Sequence, residues 1–560
     1  MILVKTNRQE FAYDIHSLVK AFFQEEDVIV SAGEKNDGAE PKIEISITFE
    51  EDGIESRFRR CSGGSASPEA GDAACRPESP DDYKKSDFRE GAIPVDDGVW
   101  QELPGGSDNG KTQTVPDSDV DAEAVRRDRI ELAGADAEDR GSRKIRRNAL
   151  KTLLYRQLRD VTGRALPWGN LTGIRPTKIP MDLLEEGASE EDAVRCMQEK
   201  YFVSPAKAVL ATKIAERERR ILQSIPFRQG YSLYIGIPFC PSICLYCSFS
   251  SSPLGLWKDR VNDYLDALET EMRCCSDVFA PRILQSIYIG GGTPTTLEPA
   301  QLDRLLSMTR RYFDCSRVRE ITVEAGRPDS ITAEKLRVLQ EHGIERISIN
   351  PQTMNQATLD RIGRKHTVEE IREAFHMARR MGFTDINMDT IVGLPGEGPE
   401  EVRHTMEELA KLKPENITVH SLALKRGSRL AAMLEEYRGS SFTNTLGIME
   451  MTQEVCENIG LYPYYLYRQK NMAGNFENVG YAAEGKEGLY NILIMEEVQS
   501  ILALGAGGST KLVMGGGRIE RIENVKDISN YINRIDEMVR RKQAIPRMME
   551  EGEARKRETL

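Results

Sequence analysis

Three cysteines fall within eight residues of the 560-residue chain, in "IPFCPSICLYCSF" from Ile237 to Phe249. They are Cys240, Cys244 and Cys247, spaced C-x3-C-x2-C. Thiolates so placed select soft metals. A structural zinc site takes four ligands, commonly from two pairs. No second pair follows here, Cys274 and Cys275 would face different sides of a helix, and the six histidines do not cluster near the motif. A disulfide is a poor reading. The start, "MILVKTNRQEFAYD", lacks the layout of a secretory signal, and no apolar run approaches a membrane span. The protein is expected to be cytoplasmic, where thiols stay reduced. A [4Fe–4S] cluster presents four irons, each taking one protein ligand. Three thiolates on a tight loop hold three irons and leave the fourth open to a substrate or cofactor.

Such a loop needs a scaffold, and the sequence around it is regular. Strand-like runs occur at 232–239, 286–292, 320–325, 346–352, 385–393 and 416–424, with helical stretches at 258–273, 299–312, 332–341, 367–381 and 399–411 between them. Six βα units in a row predict an α/β fold with a parallel sheet, barrel-like or doubly wound. In such sheets chemistry sits at the carboxyl ends of the strands. The cysteine motif begins at the end of the first strand, and "GGGTP" (Gly290–Pro294) closes the second. Glycines there let backbone approach a ligand closely.

The flanks differ in character. Residues 1–52 read as a small α/β module. From Cys61 to Ala122, 21 of 62 residues are Gly, Pro or Ser. Such a segment cannot bury enough apolar surface to offset its ordering entropy, so 53–122 is read as a disordered insertion, with Cys61 and Cys75 as bystanders. Residues 123–228 read as a helical accessory region. In it, "RKIRRNALKTLLYRQL" has Ile145, Ala149, Leu153 and Leu154 along one side, and "LPWGNLTGIRPTKI" forms a compact loop. The βα core spans 229–424, and 425–560 reads as a C-terminal α+β domain with a charged tail. Cys196, Cys315 and Cys456 read as buried thiols. A net charge of −13, with 39% hydrophobic and 29% charged residues, describes an ordinary soluble protein and argues against nucleic acid as the main partner. No membrane partner is expected.

With the cysteine loop at the end of the first strand of a βα repeat, the chain resembles the radical S-adenosylmethionine (SAM) enzymes, over roughly 231–510. The resemblance implies a partial (β/α)6 barrel, a [4Fe–4S] cluster on Cys240, Cys244 and Cys247, and SAM chelated to the open iron. Reductive cleavage of SAM in that family releases a 5′-deoxyadenosyl radical that abstracts a substrate hydrogen. Tyr246 is the aromatic residue usual before the third cysteine. Gly291, Gly292 and Thr293 lie in the segment the family uses for the SAM amino group.

The oxygen-independent coproporphyrinogen III oxidase group fits in more detail. Its Tyr-x-x-x-Pro-Phe-Cys entry appears as "YIGIPFC", which implicates Tyr234 at the cluster and SAM. Its strand-end acid, Gln, Arg and Asp fall on Glu324, Gln352, Arg364 and Asp389. A carboxylate suits ribose hydroxyls, and an Arg suits the methionine carboxylate. The best-known oxidases carry a fourth cysteine where this chain has Phe249, whereas the haem-chaperone branch also has an aromatic residue there. "LTGIRPTK" (Leu171–Lys178) and "YYLYRQKNMAGNFENVGY" (Tyr464–Tyr481) resemble the coproporphyrinogen dehydrogenase branch. The resemblance implies a porphyrinogen substrate, oxidative decarboxylation of two propionates to vinyls, and a reduced flavodoxin or ferredoxin-type electron donor. A haem-binding chaperone that retains the cluster and SAM site is the alternative. Arg175, Lys178, Arg468 and Lys470 are candidate propionate anchors. The glycine-rich Leu504–Thr510 either covers the cofactor or is a plain tight turn.

Overall fold

The computed structural model describes residues 1–24, 26–32, 41–61, 125–132, 140–425, 427–433, 444–469, 472, 475–514 and 518–558. These form two compact units, Met1–Thr172 with Glu199–Ser204, and Gly173–Gln198 with Pro205–Leu560. Residues 62–122 of the expected insertion, including Cys75, lie outside the described residues, as does Lys470. Among the described residues no helix is long and apolar enough to cross a membrane.

The first unit is a five-stranded sheet. Its strands are β1 (Ile2–Thr6), β2 (Val28–Ser31), β3 (Ile43–Phe49), β4 (Gly53–Arg60) and β5 (Val125–Glu131), in the order β2-β1-β3-β4-β5. Helix Ala12–Phe22 buries Ile15, Leu18, Val19 and Phe22 with the sheet, and helix Arg140–Thr162 adds Leu150, Leu153, Leu154 and Leu158 to the same core. Two expectations are corrected here. The segment 53–122 does not begin as an insertion: β4 pairs antiparallel with both β3 and β5. Ile54, Ser56 and Phe58 point inward at a period of two, a strand signal masked by the Gly/Pro/Ser-rich stretch that follows. Nor is 123–228 a helical region throughout, because it opens on β5 and its parts fall in both units. Ile145 is exposed, since the buried face of its helix starts at Arg146 and Leu150.

The second unit is built on an eleven-stranded sheet. Its strands are β6 (Gly230–Ile237), β9 (Ile283–Gly291), β10 (Glu320–Glu324), β11 (Arg346–Ser348), β12 (Asp385–Val392), β13 (Asn416–Ser421), β14 (Tyr462–Tyr467), β15 (Asn478–Ala482), β16 (Ser500–Leu504), β17 (Ser509–Val513) and β18 (Ile519–Glu523); β7 (Phe239–Cys240) and β8 (Ser252–Pro253) form a separate short pair. The order is β14-β15-β13-β12-β11-β10-β9-β6-β16-β17-β18. The six expected strands are consecutive and parallel, and β16 joins as a seventh beside β6. Helices Val261–Cys275, Pro299–Tyr312, Ala333–Glu341, Val368–Arg380 and Pro399–Leu412 connect them. Helix Val368–Arg380 opens on a capping box: Thr367 Oγ1 accepts from Glu370 N while the Glu370 carboxylate accepts from Thr367 N. The residue pattern predicts this α/β parallel-sheet core, and the family resemblance implies its partial-barrel form.

Two boundaries move. The chain after 424 does not form a sheet of its own, because β15 pairs with β13 and β16 pairs with β6, so both edges of the core sheet come from that region. Gly173–Lys178 belongs to this unit rather than to the first. Arg468 N, just past β14, donates to Ile174 O (2.7 Å), and Arg175 donates to Met495 O (2.8 Å) and pairs with Glu497 (2.7 Å), which Lys511 of β17 also engages. The segment therefore straps the end of β14 to the turn before β16. That explains a compact Gly/Pro-containing stretch there, and it occupies Arg175 in structural work.

Candidate cofactor site

The cysteine loop is fixed by backbone bonds to three neighbouring strand ends. Its neck is the β7–β8 pair, Phe239 opposite Ser252 and Cys240 opposite Pro253. Inside it, Cys247 N donates to Cys244 O (3.2 Å). Leu245 N donates to Ile362 O (2.9 Å), beyond β11, and Leu245 O accepts from Leu430 N (2.9 Å), beyond β13. On the β9 side, Gly292 N donates to Ile237 O (2.8 Å) and Thr293 N to Phe239 O (2.7 Å), while Thr293 Oγ1 lies 3.5 Å from Cys240 Sγ. Glycine is required at 292: a Cβ there would stand 2.5 Å from Phe239 O. Gly291 adopts φ +106°, open to glycine without strain, and a Cβ on it would meet the Tyr234 hydroxyl at 3.2 Å.

All three thiols are free, with Cys244 buried and the others half-buried. Burial pushes the Cys240 and Cys247 thiols up. Burial acts on Cys244 in the same sense, but the Arg364 and Arg327 guanidiniums and the Tyr246 hydroxyl outweigh it and bring that thiol down. Among the described residues no three His, Cys, Asp or Glu side chains are grouped to hold a single metal ion.

The SAM residues named by the sequence occupy adjoining strand ends. Glu324 ends β10; it accepts from the Tyr288 hydroxyl and from Asn350 Nδ2 (3.0 Å). Burial, reinforced by the Asp389 carboxylate, raises the Glu324 carboxyl to about 7. Asp389 on β12 is burdened by burial, yet His420, 3.6 Å away, and Asn387 Nδ2 (2.8 Å) hold it below the usual range. Gln352 adopts φ +68° and is stitched to β12 through its backbone: its N donates to Asp389 O (2.9 Å) and its O accepts from Ile391 N (2.9 Å). Arg364 donates to Asn350 O and to the Tyr246 hydroxyl (3.3 Å), while its buried Nε has no partner. An orphaned donor on a buried guanidinium, next to the cysteine loop, fits a carboxylate ligand such as that of SAM.

Other expectations resolve differently. Arg468 is buried and bonded to Asn475 (2.8 Å), and Lys178 is exposed at the start of helix Lys178–Glu185. Neither Arg175 nor Arg468 presents a free cation to a ligand. Of Cys196, Cys315 and Cys456, only Cys456 is fully buried. The Leu504–Thr510 loop is bolted down. Gly505 N donates to Glu271 (2.8 Å), Ala506 N donates to the Tyr264 hydroxyl (3.1 Å), and Glu271 is itself held by Lys542 (2.7 Å) and Tyr531 (2.6 Å). Tyr264 in turn donates to Gly236 O (2.6 Å), so the loop is held against the end of β6. Sequence reasoning missed Tyr288, Asn350, His420 and Arg327. Asn350 and Arg327 stand two and three residues from Gln352 and Glu324, and that proximity was the available signal.

Comparison with known proteins accords with this arrangement. Residues 234–409 match the model of the Radical SAM superfamily. The chain is 40% identical over 426 residues to oxygen-independent coproporphyrinogen-III oxidase-like protein HemZ of Bacillus subtilis, covering 75% of this chain and 84% of that protein. It is 32% identical over 308 residues to heme chaperone HemW of the same organism, covering 55% of this chain and 76% of the relative. Among solved structures, coproporphyrinogen III oxidase (HemN) from Escherichia coli, a radical SAM enzyme, is similar with a TM-score of 0.45 at 24% identity, over 57% of this chain and 73% of that one. Members of this superfamily use a [4Fe–4S] cluster and SAM, and the three thiols and strand-end polar groups fit both. The chain belongs to the radical SAM family of oxygen-independent coproporphyrinogen III oxidases and their HemZ-like relatives.

Proposed function

We propose that the chain is an oxidoreductase that converts coproporphyrinogen III to protoporphyrinogen IX without oxygen, by oxidative decarboxylation of two propionates. The observation that carries this reading is the reach of the similarity to HemZ. It extends over 426 residues, well beyond the span 234–409 of the shared superfamily core. Cluster and SAM together supply hydrogen-atom abstraction, which removes the need for an acid–base dyad. The chain's own contribution is placement and exclusion of water. Arg364 offers its free Nε to a carboxylate, and Glu324 with Asn350 offers an acceptor and a donor to a ribose. Gly291 and Gly292 let the backbone come close. A reduced flavodoxin or ferredoxin-type protein is the proposed electron donor.

A haem chaperone is the second reading. HemW is among the relatives, and Phe249, where the best-known oxidases have a cysteine, is 73% exposed. One anaerobic experiment separates the two. Reconstituted protein is incubated with SAM, reductant and coproporphyrinogen III, and then separately with haem. The oxidase reading expects protoporphyrinogen IX and 5′-deoxyadenosine in proportion. Stoichiometric haem binding with no decarboxylated product refutes it in favour of the chaperone. Replacing Cys240, Cys244 or Cys247 by Ala should abolish the Fe–S absorbance, roughly at 400 nm.

A further inference from the structure

Arg327 has no place among the SAM residues named above, yet its guanidinium is built into the cysteine loop. It follows β10 in "EAGRPDS" and is 3% exposed. Nη1 lies 3.2 Å from Ser242 Oγ, 3.4 Å from Ser242 O and 3.7 Å from Cys244 Sγ. The other edge of the guanidinium is clamped by Asp329 through Nε (2.9 Å) and Nη2 (2.7 Å), a two-pronged contact that fixes its plane. The clamp is itself supported. His366, 1% exposed, places Nδ1 3.8 Å from Asp329 Oδ1, and the turn Pro328–Ser330 is tied by Ser330 Oγ to Arg327 O (2.7 Å) and by Lys335 Nζ to Ser330 O (3.1 Å).

A buried cation is costly unless it meets negative charge. Asp329 meets one edge of Arg327. The remaining Nη1 is aimed at the sulfur that ligates the cluster, inside a low-dielectric pocket where a fixed charge acts strongly. Hydrogen bonds and positive charge at ligating sulfurs set cluster potential. One electron delivered by a low-potential donor adds one negative charge to the cluster and its thiolates, and no bond breaks. A guanidinium held against Cys244 favours that added charge over its absence.

We infer that Arg327, oriented by Asp329, is a positioning residue that raises the reduction potential of the cluster through Cys244 Sγ. The inference rests on the assignment of the cluster to the three cysteines; the Arg364 guanidinium also acts on Cys244 and stays unchanged in the variants below.

The test is an EPR-monitored redox titration of the reconstituted full-length protein with dithionite and mediators, with iron and sulfide content measured on each sample. R327Q keeps the size and loses the charge. Its cluster should be about tenfold harder to reduce, a shift of about 59 mV downward for a one-electron couple. R327K keeps the charge but cannot make the two-pronged contact, and should be about threefold harder to reduce, the loss of geometry alone. A merely structural residue would change cluster content or melting temperature and leave the potential where it was. A potential equal to the parent's in R327Q overturns the inference. If R327Q takes up no iron, an unchanged potential in R327K overturns it instead. A parent protein that takes up no cluster overturns the underlying assignment as well, which distinguishes the two failures.

Discussion

Replacing Glu324 by Gln should make the protein less stable than the parent in acid and more stable in alkali. The Glu324 carboxyl is raised from 4.5 to about 7 by burial and then by the Asp389 charge. About 2.5 units correspond to roughly 3 kcal/mol at 1.36 kcal/mol per unit, and the residual solvent contact of Glu324 trims this toward about 2 kcal/mol. The sign follows from linkage. The folded state holds the proton more tightly than the unfolded state, so the carboxyl's favourable contribution is complete below pH 4.5 and is lost as pH rises through about 7. Gln cannot ionise and escapes that loss. Its carbonyl oxygen can keep the bond from Asn350 Nδ2 while its amide turns to the Tyr288 hydroxyl, and any rearrangement costs about 1 kcal/mol. That cost does not depend on pH and cancels when the variant–parent difference at pH 5 is subtracted from the difference at pH 8. The double difference should be about 2 kcal/mol in favour of Gln at pH 8. Scanning calorimetry under argon at four pH values measures it, as a rise of about 4 °C in the variant's relative Tm at roughly 2 °C per kcal/mol for a large domain. Parallel Tm curves for the two proteins between pH 5 and pH 8 would refute the reasoning, because they would mean that the carboxyl ionises normally in the folded protein.

Three further perturbations address the frame around the site. Lys542→Met leaves Glu271 buried without its cation, where both side chains are wholly buried; the cost should be about 3–5 kcal/mol, seen as a lower urea midpoint and restored in large part by adding Glu271→Gln. Gly292→Ala drives a Cβ against Phe239 O and Ile237 O and should cost about 2 kcal/mol through the two backbone bonds at 292 and 293. Cluster iron should be retained and 5′-deoxyadenosine formation reduced at least about tenfold, which iron analysis and product chromatography report. Arg175→Ala should lower Tm through loss of the Glu497 pair and the Met495 contact, by about 1–3 kcal/mol, while KM for porphyrinogen stays at the parent's value; a raised KM with unchanged Tm would return Arg175 to the list of propionate anchors.

The parts of the site that were legible in sequence are those tied to a strand end by spacing. Cys240, Gly291, Glu324 and Asp389 each end, closely follow or lie within a run with a clear strand pattern; Gly291, Glu324 and Asp389 sit on β9, β10 and β12 of the core sheet, and Cys240 sits on the short β7–β8 pair just past β6. What was not legible depends on contacts between distant segments. Nothing local in "LTGIRPTK" reveals that Ile174 meets Arg468 and that Arg175 meets Glu497, more than 290 residues away. Likewise Glu271 sits in an ordinary amphipathic helix, and only the tertiary arrangement shows that its carboxylate fixes the glycine loop from behind. β4 was hidden for a different reason: a short alternating strand abuts a long tract of opposite composition, and averaging over the join erased it. Arg327 and Asn350 lay within quoted motifs, but a polar residue next to a strand end has no signature until its partner is known.

The way the cysteine loop is held bears on why three thiolates in eight residues suffice. Inside the loop Cys247 N bonds Cys244 O and Ser251 N bonds Phe249 O, and anchors outside it come from Ile362, Leu430 and the Gly292–Thr293 turn. Those segments follow β11, β13 and β9, so the positions of the three sulfurs are fixed by the relative placement of four parallel strands. An isolated loop would have to pay the full entropy of arranging three thiols around a cluster, about 1–2 kcal/mol for each backbone residue fixed. In the folded chain that ordering is already supplied by the sheet core, where Ile235, Ile289 and Ile347 are completely buried. The same anchors make the coupling reciprocal. A cluster that binds only the folded arrangement would stabilise the strands that hold its loop.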